Sequence, residues 1–156
     1  MGRRVIVSLG SNLGDSRSIL VAAADALRQR FPEGFQVSSI HQTQPVDCPE
    51  GSPDFFNAVV LFYVEDSWKP EGLLDWLLEL ELSFGPRPRL IPNAPRVLDL
   101  DLIDFDRVSR SGERLTLPHP RADQRRFVLE PLVEIAPDER LGDNPLTVSE
   151  MLSRGV

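Results

Sequence analysis

The chain is poor in the residues that would staple, anchor or charge a protein for several common roles. It has one cysteine, Cys48, so no internal disulfide can form, and neither Cys nor His stands beside it to make a metal site. No apolar run approaches the roughly 18 residues that a membrane-crossing helix needs. Met1-Gly2-Arg3-Arg4 leads straight into a short apolar segment, without the long apolar stretch of a signal peptide. The expectation is a soluble, cytoplasmic protein. Net positive charge is also missing: at −7 the chain does not fit a nucleic-acid binder, whose footprint is a basic surface. The glycine-containing turn Gly10-Ser11-Asn12-Leu13-Gly14 lacks a following Gly-Lys-Ser/Thr, which excludes a P-loop. Internal repeats and low-complexity segments are absent as well. At 156 residues and 41% hydrophobic content, the chain suits one domain with one core, residues 1–156.

What is present is unevenly placed. Between Gly85 and Arg126 nine arginines face six Asp and Glu, a balance of +3, so the remainder carries −10. Every basic residue but Lys69 is arginine, which suits bidentate phosphate recognition and equally fits codon bias.

Periodicity gives an element order. Val5 to Leu9 alternates as a strand, and Asp15 or Ser16 caps a helix whose Leu20, Ala24, Leu27 and Phe31 form one stripe before Pro32-Glu33-Gly34. Phe35 to Thr43 reads as a second strand, and Gln44 to Pro53 as an irregular loop. His41 reads as a solvated strand residue. Phe56 to Val64 is an apolar, β-branched run expected for a central strand buried on both faces. Pro70 opens a helix with Leu73, Leu74, Leu77, Leu80 and Phe84 on one side, and Gly85 closes it. Pro86 to Pro95 is too rich in proline for helix or ladder strand. After the strand that follows, Arg107 to Gly112 is a polar turn and Leu115 to Leu117 a short strand. A helix begins near Asp123 and Pro131 is expected to break or kink it, and Thr147-Val148-Ser149-Glu150 is a capping box opening a last helix. The order β-α-β-β-α-β with appended helices is that of an α+β, ferredoxin-like αβα sandwich on a mostly antiparallel sheet.

The stretch Pro95-Arg96-Val97-Leu98-Asp99-Leu100-Asp101-Leu102-Ile103-Asp104-Phe105 carries the chemistry. Period-two alternation puts Leu98, Leu100 and Leu102 on one face and Asp99 and Asp101 on the other. With roughly 3.3 Å per residue the two carboxylates stand about 6.6 Å apart at Cα, close enough to grip one hard cation or bracket two. Arg96 is a natural anion partner. Acids beside an arginine suit transfer of a phosphoryl-type group, while a bare Asp-x-Asp reads equally well as a solvated strand face.

That stretch, followed by Leu117-Pro118-His119-Pro120-Arg121 and Arg125-Arg126-Phe127-Val128-Leu129, resembles the signature of the 6-hydroxymethyl-7,8-dihydropterin pyrophosphokinase family. The resemblance extends upstream to Ser8-Leu9-Gly10-Ser11-Asn12-Leu13-Gly14-Asp15 and Phe55-Phe56-Asn57-Ala58-Val59-Val60, in the family's order. It implies the same ferredoxin-like fold and transfer of the β,γ-pyrophosphate of ATP to the hydroxymethyl group of the reduced pterin. Asp99 and Asp101 would hold two magnesium ions, with Arg96 beside them as a catalytic residue. Arg114, His119 and Arg125 would contact the nucleotide phosphates. Thr43, Val46, Phe55, Asn57 and Phe127 would bind the pterin, the amide of Asn57 reading its edge and the rings stacking on it. The partners implied are ATP and the hydroxymethyl pterin alone, with no nucleic acid or membrane, and the chain acts as a monomer.

The chain departs from the family before the Asp strand. Where relatives place several arginines, it has Pro86, Pro88, Pro92, Asn93 and Ala94, and only Arg96 keeps its register. Arg87 and Arg89, one residue out of register, are the candidates to replace the missing contacts to ATP. Phe55 and Pro120 stand where aromatic or tyrosyl side chains often occur. A non-catalytic pterin- or nucleotide-binding relative with a degraded arginine loop is the alternative reading.

Overall fold

The computed structural model describes residues 2–44, 50–85 and 96–155. Its centre is an antiparallel sheet built on β1 (Arg3–Ser11), which pairs along its full length with β4 (Phe55–Val64) and, on its other side, with β5 (Asp99–Phe105). Two short strands, β2 (Gln36–Val37) and β3 (His41–Thr43), both pair with the outer edge of β4. The expected single strand over 35–43 is therefore divided. At Ser38 the side-chain hydroxyl, rather than a backbone carbonyl, accepts from Val59 N–H at 2.9 Å. Three residues, 38–40, then face two on β4, and the ladder resumes at His41 opposite Asn57.

Each face of the sheet is covered by two helices. On one, α1 (Ser16–Arg30) and α2 (Pro70–Phe84) bury Leu20, Ala23, Leu27, Leu73 and Leu77 against Val5, Val7, Leu9, Val60, Phe62, Leu100, Leu102 and Phe105. Phe31 stacks on Phe62 at 4.9 Å between ring centres, an offset arrangement that adds to plain burial. On the other, α3 (Arg126–Ile135) and α4 (Val148–Ser153) pack Val128, Leu129, Leu132, Val148 and Met151 on Ile6, Val59, Leu61 and Ile103. This is the ferredoxin-like α+β sandwich expected from the element order. None of the described helices is long and apolar enough to cross a membrane.

The caps follow the sequence closely. Asp15 accepts from Ser18 N–H at the start of α1, Pro70 opens α2, and Thr147 and Glu150 exchange both bonds of a capping box. Two expectations about the second half need correction. The stretch from Asp123 is a 3-10 turn, Ala122–Gln124, and α3 starts only at Arg126. Nor does Pro131 break α3, which runs through it to Ile135 with the ring buried. Burial of that ring offsets the hydrogen bond it cannot donate to Phe127. A short hairpin of β6 (Arg110–Ser111) and β7 (Thr116–Leu117) fills the polar turn after β5.

The two sides of the 86–95 segment are tied together. Asn12 and Arg96 are linked twice, Asn12 N–H donating to the Arg96 carbonyl at 3.0 Å and Arg96 N–H donating to the Asn12 side-chain oxygen at 2.8 Å. Gly85, which ends α2, packs so tightly on Val97 that a Cβ there would lie 2.9 Å from Cγ2. A third tie runs from α2 to β5, where Glu81, 1% exposed, accepts Leu100 N–H at 2.7 Å.

Candidate active site

Strand register places the site. Cross-strand partners share a face, and the pairings align Asn57 of β4, Gly10 of β1 and Asp99 of β5 in one row. The next row is Val59, Ser8 and Asp101, and the third is Leu61, Ile6 and Asp104. All three lie on the face that α3 and α4 cover, but the helices pack on the apolar members of the second and third rows. The first row stays at the open end of the sheet. His41 of β3 extends it on the far side of Asn57.

The third row is reached through a bulge. Ile6 faces Asp104 while its neighbour Val7 faces Leu102, so Ile103 is the extra residue. Ile103 and Asp104 then share a face, and Phe105 returns to the opposite core. Asp104 is fully buried and surrounded by donors: the Arg4 guanidinium, Arg107 N–H at 3.0 Å and Gly142 N–H at 2.7 Å.

Asp99 and Asp101 are half-buried, with Leu100 between them turned into the core. The Arg96 guanidinium reaches Asp99 at 3.3 Å. His119 belongs to the same neighbourhood. Its backbone N–H donates to the Ile103 carbonyl at 2.8 Å, and its Nδ1 accepts Arg121 N–H at 3.2 Å, which leaves the ring proton on Nε2. Burial lowers the His119 pKa, as do the nearby charges of Arg125 and Arg121, while Asp99 opposes them. These shifts favour the neutral ring, whose Nε2–H then offers a donor to an anionic oxygen. Arg125 lies against Phe127, its guanidinium carbon 5.2 Å from the ring centre.

On the other side of Gly10, the Asn57 amide donates from Nδ2 to Thr43 Oγ1 at 3.1 Å. Asn57 is 4% exposed, so this bond fixes its orientation and leaves Oδ1 as an acceptor. Phe55, two residues earlier, shares the face of Asn57 and is paired directly with Thr43. From the 3-10 turn beside His119, α3 crosses the sheet to β3, where Glu134 accepts from Ser39 N–H at 2.8 Å and pairs with His41. Phe127 lies two helical turns before Glu134 on the same side of α3 and is partly exposed.

The structure thus gathers Arg96, Asp99, Asp101, His119 and Arg125 around one end of the row, and Thr43, Phe55 and Asn57 around the other. Arg114 is placed elsewhere: it is exposed and pairs with Asp75 of α2, one turn from the Glu71–Arg110 pair at 2.8 Å. Val46, Arg87 and Arg89 lie outside the described residues, as does Cys48. Sequence reasoning missed Glu81, although it falls four residues after Leu77 on the inward stripe of α2, an acid where an apolar residue is due. It also gave Asn12 no part, and this buried amide is what fastens Arg96 beside Asp99.

Residues 6–137 match the family model described as 7,8-dihydro-6-hydroxymethylpterin-pyrophosphokinase. The chain is 40% identical over 145 residues to the 2-amino-4-hydroxy-6-hydroxymethyldihydropteridine pyrophosphokinase of Pseudomonas aeruginosa, covering 92% of this chain and 86% of that one. It is 38% identical over 136 residues to the enzyme of the same name from Bacillus subtilis, covering 86% and 79%. Among solved structures it is similar in fold to the wild-type HPPK-DHPS of Plasmodium falciparum, with a TM-score of 0.72 at 12% identity. That match covers 99% of this chain and 45% of the other, so the chain spans less than half of it.

Proposed function

The chain belongs to the 7,8-dihydro-6-hydroxymethylpterin-pyrophosphokinase family, and on that premise we propose that the row Asn57–Gly10–Asp99 is where pyrophosphate passes from ATP to 6-hydroxymethyl-7,8-dihydropterin, giving AMP and the pterin pyrophosphate for folate biosynthesis. The observation that carries this reading is the register itself. It sets an amide fixed by Thr43 and a pair of carboxylates two strands apart on one face, about 9.6 Å at Cα from roughly 4.8 Å per strand.

Two magnesium ions fit the donors. Asp99 and Asp101 offer hard oxygen ligands, and among the described residues no cluster of three or more His, Cys, Asp or Glu surrounds them. Magnesium takes few protein carboxylates and keeps water and phosphate oxygens for the rest of its octahedron. When bound, the ions supply charge neutralisation for the triphosphate and a lower pKa for the attacking hydroxyl.

The residues of the chain do the remainder. Asn57 offers an acceptor and an N–H to the pterin edge, and Phe55 and Phe127 offer ring faces. Arg96 and Arg125 provide charge to the phosphates, and neutral His119 donates from Nε2 without adding charge of its own. Arg114 joins them by exchanging Asp75 for a phosphate, an inexpensive step for an exposed pair. The hydroxyl oxygen then attacks the β-phosphorus, the bond to the α-phosphate bridging oxygen breaks, and the released proton leaves to solvent.

A coupled assay for AMP formation with ATP, magnesium and the hydroxymethyl pterin tests the reading. Pterin-dependent AMP release is expected. Pterin binding without AMP release would instead make the chain a non-catalytic relative.

A further inference from the structure

Gly10 occupies an unusual place in the sheet. It lies in β1, flanked by β4 and β5, yet it is partly exposed while its neighbours from Arg4 to Leu9 and Ser11 are buried. In a strand paired on both sides, partial exposure at one position means that the described elements on the covered face leave it partly open. Its backbone does not require glycine, since φ is outside the left-handed region. Among the described residues, a Cβ there would meet one heavy atom within 4 Å, Oδ1 of Asn57 at 3.4 Å, an ordinary contact. Conformation and packing would both admit alanine.

The register supplies a different reason for the missing side chain. Gly10 is the partner of Asn57 on one side and of Asp99 on the other, so the line from the amide to the first carboxylate crosses its α-carbon. We propose that Gly10 is a positioning residue for the transfer, the bare floor over which the pterin lies between Asn57 and the phosphates held at Asp99. This inference rests on the pterin and metal assignments proposed above. A planar ring held at one edge by Asn57 must lie close to the sheet for its hydroxymethyl arm to reach across one strand. A methyl group in that floor would lift the ring away from the Asn57 amide that holds its edge. Ser8, next along the same face and also buried, continues the floor with another small side chain beside Asp101. Displacements of about an ångström at a reacting centre are costly in rate.

The test uses Gly10→Ala, Gly10→Val and Asn57→Ala in the full chain. Pterin affinity is measured by calorimetry with a non-hydrolysable ATP analogue and magnesium, together with kcat, KM and melting temperature. Gly10→Ala is expected to lose at least tenfold in kcat/KM for the pterin, and Gly10→Val more. Affinity for the ATP analogue alone and the melting temperature should match the parent. A Gly10→Ala enzyme that binds pterin and turns over like the parent, while Asn57→Ala is impaired, overturns the inference and leaves the pocket standing. Equal loss of nucleotide and pterin binding with a lowered melting temperature also overturns it, by making Gly10 structural. Unchanged pterin affinity in Asn57→Ala overturns the pocket, and this inference with it.

Discussion

The two ends of β5 carry aspartates on the same face of the sheet in opposite surroundings. At the far end Asp104 is fully buried and closed in by the Arg4 guanidinium and two backbone N–H groups. At the near end Asp99 and Asp101 are half-buried beside Arg96, where the covering helices stop. Only a few residues separate them. A carboxylate saturated by fixed donors in the interior is a fastener, and here it ties the strand to the Arg107 turn and to Gly142. One at the rim, half-buried and paired with Arg96, sits where an exposed partner can be exchanged for something that arrives later.

The contrast can be broken most severely at the rim. Asp99→Ala or Asp101→Ala should lower kcat by at least about 10³-fold, equivalent to roughly 4 kcal/mol of transition-state stabilisation. The melting curve should stay close to the parent's, and magnesium-dependent turnover surviving in either variant would remove the metal assignment. Asp104→Ala should do the reverse. It leaves the Arg4 guanidinium with only Glu139 and the Arg140 carbonyl, orphans the N–H groups of Arg107 and Gly142, and should cost about 3 kcal/mol of stability in a denaturant titration. The folded fraction should keep its kcat; if activity fell as it does for Asp101→Ala, the separation of roles along β5 would be mistaken.

Asn57→Ala sharpens the comparison at the proposed pterin end. It should weaken pterin binding by about 1–3 kcal/mol in calorimetry while sparing nucleotide affinity. The smallest effect belongs to Glu134. Burial raises its pKa, but Ser39 N–H, His41 and the Ser39 hydroxyl outweigh this and hold it below the ordinary 4.5. A carboxyl with a depressed folded pKa stabilises the fold above its unfolded value, and that contribution is lost as pH falls through the lowered one. Melting temperatures from pH 6 to 3 should therefore converge between the parent and Glu134→Gln at the acid end, and parallel curves would rule the linkage out.

Much of this arrangement was legible in the residues. The alternation of Asp99, Leu100, Asp101 and Leu102 fixed which face the acids take, and helix caps at Asp15, Pro70 and Thr147 stood where local chemistry put them. The alternation could not be carried on to Asp104, because the bulge at Ile103 shifts the phase by one residue and nothing local marks it. Ser38 likewise divides a strand by substituting its hydroxyl for a carbonyl, a choice visible only once β4 lies alongside. The pairing of Arg114 with Asp75 joins elements about 40 positions apart, and side chains of that kind find partners through the fold rather than through spacing. Thr43 and Asn57, by contrast, were grouped only through family resemblance; register supplies the reason that they meet.

The ties at Asn12–Arg96, Gly85–Val97 and Glu81–Leu100 have a consequence for how such a protein can change over generations. Together they form a neck on which both sides of the 86–95 segment are clamped before the chain reaches Asp99. Substitutions between the clamps need not disturb the register of β5, because that register is set on either side of them. The segment is in this sense a cassette: its arginines and prolines can be reshuffled by drift or selection while Asp99 and Asp101 keep their place. Pro86, Pro88, Pro92, Asn93 and Ala94, read in the sequence as departures from the family, all fall inside the neck.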